Sequence, residues 1–204
     1  MIQFDNINNE TPYLVFRDKY TESVNAKQKN IEAICISSYA SENKEVNARY
    51  VNLKIIDGKE FIFFSNYNSP KSVDFNSHNQ ITALIYWNNI NFQIRMKAHI
   101  KKTSREFNQA YFTGRDKKKN ALAISSEQSN VIDSYKSVQE NYEISLENSN
   151  LSECPDYWGG FSFTPYYFEF WEGHEQRLNK REAYEDQNGK WIHSFLQPYH
   201  MSQI

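Results

Sequence analysis

The sequence predicts an α+β fold, an antiparallel β-barrel with flanking helices, and three observations carry that expectation. Apolar, β-branched segments come in pairs around polar turn dipeptides, Asp57-Gly58, Asn88-Asn89 and Asn188-Gly189, which tolerate the left-handed backbone that hairpins need. In residues 92–100 the alternation is unbroken: Phe92, Ile94, Met96, Ala98 and Ile100 face one way, while Gln93, Arg95, Lys97 and His99 face the other. In 166–171 both pleat faces are bulky, with Tyr166, Phe168 and Phe170 opposite Tyr167, Glu169 and Trp171. A strand covered on both sides, in a small barrel or at a subunit interface, accounts for that.

The elements follow in chain order. After a flexible segment 1–10, residues 11–26 open on the helix-start pair Thr11-Pro12 and set Leu14, Phe16 and Tyr20 on one side of a helix. Strands are expected over 31–39, 46–55, 59–66, 81–87 and 91–101. Thr103 and Glu106 have the spacing of a capping box, each side chain satisfying an exposed backbone donor at a helix start, and Phe107, Ala110 and Tyr111 then recur at helical spacing. Two more helices are expected over 118–126 and 134–146, the latter with Tyr135, Val138 and Tyr142 on one face. Residues 148–155 are polar and turn-rich and form a loop. Strands return over 161–171, 181–185 and 191–196, the first ending in a tight turn around Gly173.

Composition narrows the function. The chain of 204 residues reads as one domain, 1–204, with no repeat or linker tract. A formal charge of −2 argues against nucleic acid as the main partner, so any anion site is local. The N-terminal residues have no signal-peptide pattern and no run approaches a membrane span, so a soluble cytoplasmic protein without membrane contact is expected. Cys35 and Cys154 form no paired motif and the five histidines show no ligand spacing, so no metal is expected. With six glycines the chain contains neither a GxGxxG nor a Walker loop, and a nucleotide would have to be held by side chains and strand edges.

Chemistry concentrates between Trp158 and Arg181. Trp171 is followed by Arg177 and Arg181, flat aromatic surface beside cations, which suits a planar anionic aromatic ligand. The order WGGF from Trp158, EFW from Glu169 and RLNKR from Arg177 resembles the C-terminal signature of the pyridoxamine 5'-phosphate oxidase family, with Asn179 where the family has histidine. The resemblance runs from about Pro12 to Pro198. It implies a split β-barrel, a homodimer, and FMN bound at the subunit interface.

Block by block, the resemblance implies the following roles. Arg49 to Lys54, RYVNLK, is similar to the family's R-x-V-x-L-K strand, giving Arg49, Val51 and Lys54 to the cofactor site and Lys54 also to substrate phosphate. By period 2, Arg49 and Lys54 point to opposite faces and serve two neighbouring pockets. Phe64, Ser65 and Lys71 match the turn that binds FMN phosphate, with Pro70 in place of an arginine. Gln93, Gln128 and Ser129 match cofactor-binding positions, where a neutral amide suits a flavin edge that offers donors and acceptors. Tyr111, Arg115 and Lys119 correspond to the group that binds substrate phosphate, with Lys119 replacing serine. Taken alone, the run from Arg115 to Lys119 is a solvated charge cluster and a glutamine on a strand is simply exposed; the resemblance gives both a role.

Trp171 and Arg181 match residues that flank the FMN ring. Arg177 and Asn179 match the pair over the substrate, where they would be catalytic and substrate-binding; asparagine there keeps hydrogen bonding but loses charge near neutral pH. The implied reaction is hydride transfer from a small phosphorylated or acidic aromatic substrate to FMN N5, with reoxidation by O2 giving hydrogen peroxide. Two other readings stand beside pyridoxine/pyridoxamine 5'-phosphate oxidation: a flavin oxidase of another ring system, of the phenazine-biosynthesis type, and an FMN-binding carrier or sensor without catalysis.

Overall fold

A computed structural model of the chain describes residues 1–198. Among these are nine strands in one sheet and five α-helices, a mixed α+β architecture. Six strands close on themselves: β2 (Ala33–Ala40), β3 (Glu45–Asp57), β4 (Glu60–Asn66), β5 (Gln80–Trp87), β6 (Phe92–Lys102) and β7 (Trp158–Glu172). The circuit runs β3–β2–β5–β6–β7–β4 and back to β3, every pair antiparallel. The circuit closes over part of their length, since β2 pairs with β5 only over 35–37 and β3 pairs with β4 only from Leu53 onward. From β7 the sheet continues outward through β8 (Lys180–Gln187) and β9 (Lys190–Phe195).

The predicted alternation in β6 is what the structure contains: Phe92, Ile94, Met96, Ala98 and Ile100 are buried and the residues between them are not. Phe61, Phe63, Phe163 and Phe168 complete the interior with essentially no exposure, each such ring stabilising the fold by about 1.5–3 kcal/mol relative to an exposed one. The helix α1 (Thr11–Asn25) lays Tyr13, Phe16 and Tyr20 against this core, Phe16 meeting Phe61 and Trp87 edge to face at 5.2 and 5.7 Å.

β7 is buried at every residue from Trp158 to Phe163, and a bulge further along lets its later phenylalanines reach the same interior. The register with β6 shifts between Lys97 and Ala98, which pair with Tyr167 and Pro165, leaving Tyr166 as an extra residue. A bulge of one residue reverses the pleat parity. Phe161 and Phe163 before it, and Phe168 and Phe170 after it, are therefore all buried, although their spacing assigns them to opposite faces.

Four expectations change. Residues 1–10, read as flexible, contain β1 (Gln3–Asp5), parallel to β3, and the Ile2 N–H donates to the Tyr20 hydroxyl at 2.9 Å. The segment after Ser69 is the helix α2 (Pro70–Ser77), with proline in its first turn, a start signal present in the sequence but read as part of a turn. The helix α3 (Arg105–Gly114) is capped by Ser104, whose hydroxyl accepts from the Phe107 N–H. Thr103 is not the cap; its hydroxyl donates to Asn108 Oδ1 at 2.5 Å and lies 3.1 Å from the Gly160 carbonyl. The β7–β8 connection is a seven-residue loop, 173–179, rather than a tight turn. The helices α4 (Lys117–Ser125) and α5 (Tyr135–Asn148) lie where expected, within a residue or two.

Candidate active site

Ten of the predicted site residues line one cavity of about 490 Å³. β3 supplies Arg49, Val51 and Lys54; β4 supplies Phe64 and Ser65; α2 supplies Lys71. Tyr111 comes from α3, Arg115 from the α3–α4 junction, and Gln128 and Ser129 from the loop after α4. Arg49 and Lys54 share this cavity despite their odd spacing, because it takes residues of both parities from β3, Tyr50 and Asn52 as well as Val51. One cavity thus stands where two neighbouring pockets were expected.

Lys71 is the most constrained of the cations. It is 7 % exposed, and its Nζ donates to the Ser65 and Ser69 hydroxyls at 3.0 and 2.9 Å. Among the described residues no carboxylate pairs with it. Burial, assisted by the nearby Arg49 charge, pushes its pKa down to about 8. Ser65 in turn donates to Gln128 Oε1 at 3.2 Å, which ties the cofactor turn to the loop after α4.

Arg49 is held by a group that sequence reasoning did not find. Its Nη1 donates to the Ser38 hydroxyl at 2.7 Å and the Ile36 carbonyl at 3.2 Å, and its Nη2 lies 3.5 Å from the buried Asp74 carboxylate. Ser38 also donates to Asp74, at 2.6 Å. Asp74 sits on the unanticipated α2, so nothing local in the sequence links it to Arg49.

The other wall is aromatic. Phe64 stacks on Tyr111 with ring centroids 3.7 Å apart, and Trp158 lies nearly parallel to Phe64 at 5.2 Å. The Arg115 guanidinium sits 4.8 Å over the Trp158 ring and donates to the Lys119 carbonyl and Asn120 Oδ1 at 3.1 and 3.3 Å. It too has no carboxylate partner among the described residues, and burial lowers its pKa. Trp158, first letter of the WGG motif, is thus the bed of the arginine. Lys119 itself is exposed and its side chain does not line the cavity; its contribution is the carbonyl that holds Arg115. Lys54 is partly neutralised by Glu32, 3.4 Å away.

The remaining predicted residues form a second group, on the outer face of β6, β7 and β8. Register places Gln93 opposite Trp171 and Trp171 opposite Arg181, one row across three strands. Arg177 and Asn179 stand in the loop 173–179, outside the cavity. Asn179 Oδ1 accepts from the His174 N–H at 3.0 Å, and Arg177 has a left-handed backbone, φ 60°, with its N–H donating to the His174 carbonyl.

Residues 158–198 match the family described as pyridoxine 5'-phosphate oxidase C-terminal dimerisation region. Over 171 residues the chain is 33% identical to a pyridoxine/pyridoxamine 5'-phosphate oxidase of Vesicomyosocius okutanii, covering 82% of this chain and 80% of that one. The chain belongs to the pyridoxine/pyridoxamine 5'-phosphate oxidase family. The oxidase of Burkholderia lata is a further relative, 32% identical over 191 residues, 92% of this chain and 89% of that one.

Solved structures share the oxidase fold. PhzG from Burkholderia lata 383, in complex with tetrahydrophenazine-1-carboxylic acid, superposes with a TM-score of 0.86 at 21% identity over 92% of both chains. A pyridoxamine 5'-phosphate oxidase-related, FMN-binding protein from Nostoc punctiforme gives 0.75 at 12% identity, over 93% of this chain and all of that one. Membership of this oxidoreductase family supports FMN as the cofactor. The cavity fits it by its own chemistry: a buried lysine with only hydroxyl partners, beside a pinned arginine, is a donor set that lacks its anion. No helix among the described residues is long and apolar enough to cross a membrane.

Proposed function

We propose that the protein is an FMN-dependent oxidase of a small anionic aromatic substrate, working as a homodimer in which the cavity of one subunit is completed by the β6–β8 face of the other. One observation carries this reading: the cavity holds two cations without carboxylate partners among the described residues, Lys71 beside hydroxyls and Arg115 beside an aromatic wall. On this reading Arg49, Ser65, Lys71, Gln128 and Ser129 bind the FMN phosphate end, with Val51 and Phe64 beside them. Gln93, Trp171 and Arg181 come from the second subunit's outer face. Tyr111 and Arg115 bind the substrate's anionic group with help from Lys54, while Arg177 positions the ring and Asn179 orders the loop that carries Arg177. Bound FMN supplies the redox chemistry, taking a hydride from the substrate and passing the electrons to O2 as hydrogen peroxide. The protein groups orient the substrate and exclude water, and no side-chain nucleophile is required.

The first substrate reading is pyridoxine or pyridoxamine 5'-phosphate, which would place the protein in cytoplasmic pyridoxal phosphate formation. A second is favoured by the charge inventory: with Lys54 engaged by Glu32 and Lys119 outside the cavity, Arg115 is, among the described residues, the one cation of its group that lines the cavity without a carboxylate partner, which also suits a ring bearing a carboxylate. Anaerobic reduction of the bound flavin separates them. Bleaching by pyridoxine 5'-phosphate supports the first, bleaching only by a carboxylated dihydro-aromatic supports the second, and bleaching by neither leaves a carrier or sensor and defeats the oxidase proposal.

The altered position gives a sharper expectation. Asn179→His restores an imidazole near the substrate at the cost of one exposed hydrogen bond to His174, and turnover of pyridoxine 5'-phosphate should rise about tenfold, equivalent to roughly 1.4 kcal/mol of barrier. Unchanged kcat/KM would mean that the pocket has diverged at more than this residue.

A further inference from the structure

Behind Arg181 lies a buried carboxylate. Glu169, two residues before Trp171 in β7, is 4 % exposed although it projects from the outer face of the sheet. Register sets it opposite Arg95 on β6, in the row next to that of Gln93, Trp171 and Arg181. Its Oε1 accepts from Arg181 Nε and Nη2 at 3.0 and 2.8 Å. Its Oε2 accepts from Arg95 Nη2 and from the Tyr167 hydroxyl, the latter at 3.1 Å. Arg181 Nη1 donates to the Gln197 carbonyl at 3.1 Å.

This arrangement does two things. Three of the five N–H donors of the guanidinium are committed, which fixes its plane and leaves the other two free. One carboxylate is shared by two arginines, so the trio keeps a net positive charge and Arg181 is oriented without being neutralised. Burial pushes the Glu169 carboxyl up, but the hydrogen bonds from Arg181 and Arg95 more than offset it and hold it below the ordinary carboxylate value. Stability alone does not explain such a trio, because well-packed apolar residues commonly replace buried ion clusters at no cost. What apolar residues cannot do is aim a guanidinium.

We infer that Glu169 is a positioning residue for the cofactor: it holds the Arg181 guanidinium in one plane beside Trp171, with Arg95 as the balancing cation. The inference rests on the proposed FMN role of Arg181, and its test reads affinity rather than turnover. Full-length apoprotein is titrated with FMN and followed by flavin fluorescence, for the parent, Glu169→Gln, Arg181→Met and the double variant. Glu169→Gln should weaken FMN binding about tenfold, as expected when a charge-assisted clamp is lost, and should add nothing once Arg181 is already methionine. A purely structural glutamate would weaken both backgrounds equally, and that result overturns the inference. So does parent-like affinity in Glu169→Gln. Should Glu169→Gln fail to fold, Arg181→Lys keeps the charge but cannot bridge in plane, and is expected to lose about tenfold; parent-like affinity there again overturns the inference. Parent protein that takes up no FMN defeats the proposed function as well, whereas parent uptake with unaffected variants defeats this inference alone.

Discussion

Lys71→Met is expected to weaken FMN binding by roughly 10- to 150-fold, the ~1.5–3 kcal/mol of a hydrogen bond to a charged group, while leaving the apoprotein at least as stable as the parent. Both halves follow from one geometry. The ammonium is buried against two hydroxyls with no carboxylate beside it among the described residues, so in the absence of an anion it costs stability. The pH dependence has opposite signs for the two properties. With the folded pKa near 8 and the ordinary value 10.5, the unfolded chain keeps a proton between those values that the apoprotein releases. Raising the pH through that window therefore stabilises the apoprotein through Lys71. FMN affinity moves the other way: a phosphate dianion favours the charged lysine, so binding takes up a proton above pH 8 and weakens by up to about tenfold per pH unit. Calorimetric melting and FMN titration between pH 7 and about 10 measure both slopes, and Lys71→Met should flatten both. Parallel slopes in parent and variant would remove Lys71 from the phosphate site.

Gly159→Ala is expected to destabilise the protein by about 2–4 kcal/mol, the sum of overpacking and a broken buried hydrogen-bond network. A Cβ at Gly159 would overlap Tyr67 Oη and Asn108 Nδ2. Neither can move freely. Asn108 Oδ1 accepts from the Gly160 N–H at 2.8 Å and from Thr103, while its Nδ2 donates to Tyr67, which donates in turn to the Gly160 carbonyl at 2.9 Å. This knot joins α3 to β7 directly behind the Phe64–Tyr111–Trp158 wall, so a methyl group there should also loosen the Arg115 side of the cavity. Chemical denaturation of the apoprotein gives the magnitude; a change below about 0.5 kcal/mol, the range of ordinary surface substitutions, would show that the knot has slack.

Local pattern was enough to read most of the strands. The pleat alternation of β6 and the Asp57-Gly58 and Asn188-Gly189 turns depend on neighbours in sequence, and the structure has them, with left-handed glycines at 58 and 189. What could not be read depends on pairing between distant segments. The bulge at Tyr166 reverses the pleat parity between Phe163 and Phe168, and the cavity takes side chains from both faces of β3, Arg49 and Val51 with Tyr50, Asn52 and Lys54. The cofactor motifs named eight residues, and the substrate motif two more, that meet in one cavity, because each lies within a short continuous block. Their supports, Asp74 behind Arg49 and Glu169 behind Arg181, are ordinary acidic residues until the fold brings them to their cations. Trp158 was visible in the WGG motif, but only the α3–β7 packing shows that it carries Arg115.

FMN binding in the cavity around Arg49, Ser65 and Lys71 underlies the proposed oxidase. It is tested most directly by titrating purified apoprotein with FMN and following flavin fluorescence together with the visible spectrum. The expected result is saturable uptake of one flavin per chain, with fluorescence quenched and the protein remaining yellow after gel filtration, and with Lys71→Met shifted to weaker binding. A parent protein that leaves FMN fluorescence unchanged and emerges colourless from the column would contradict the account.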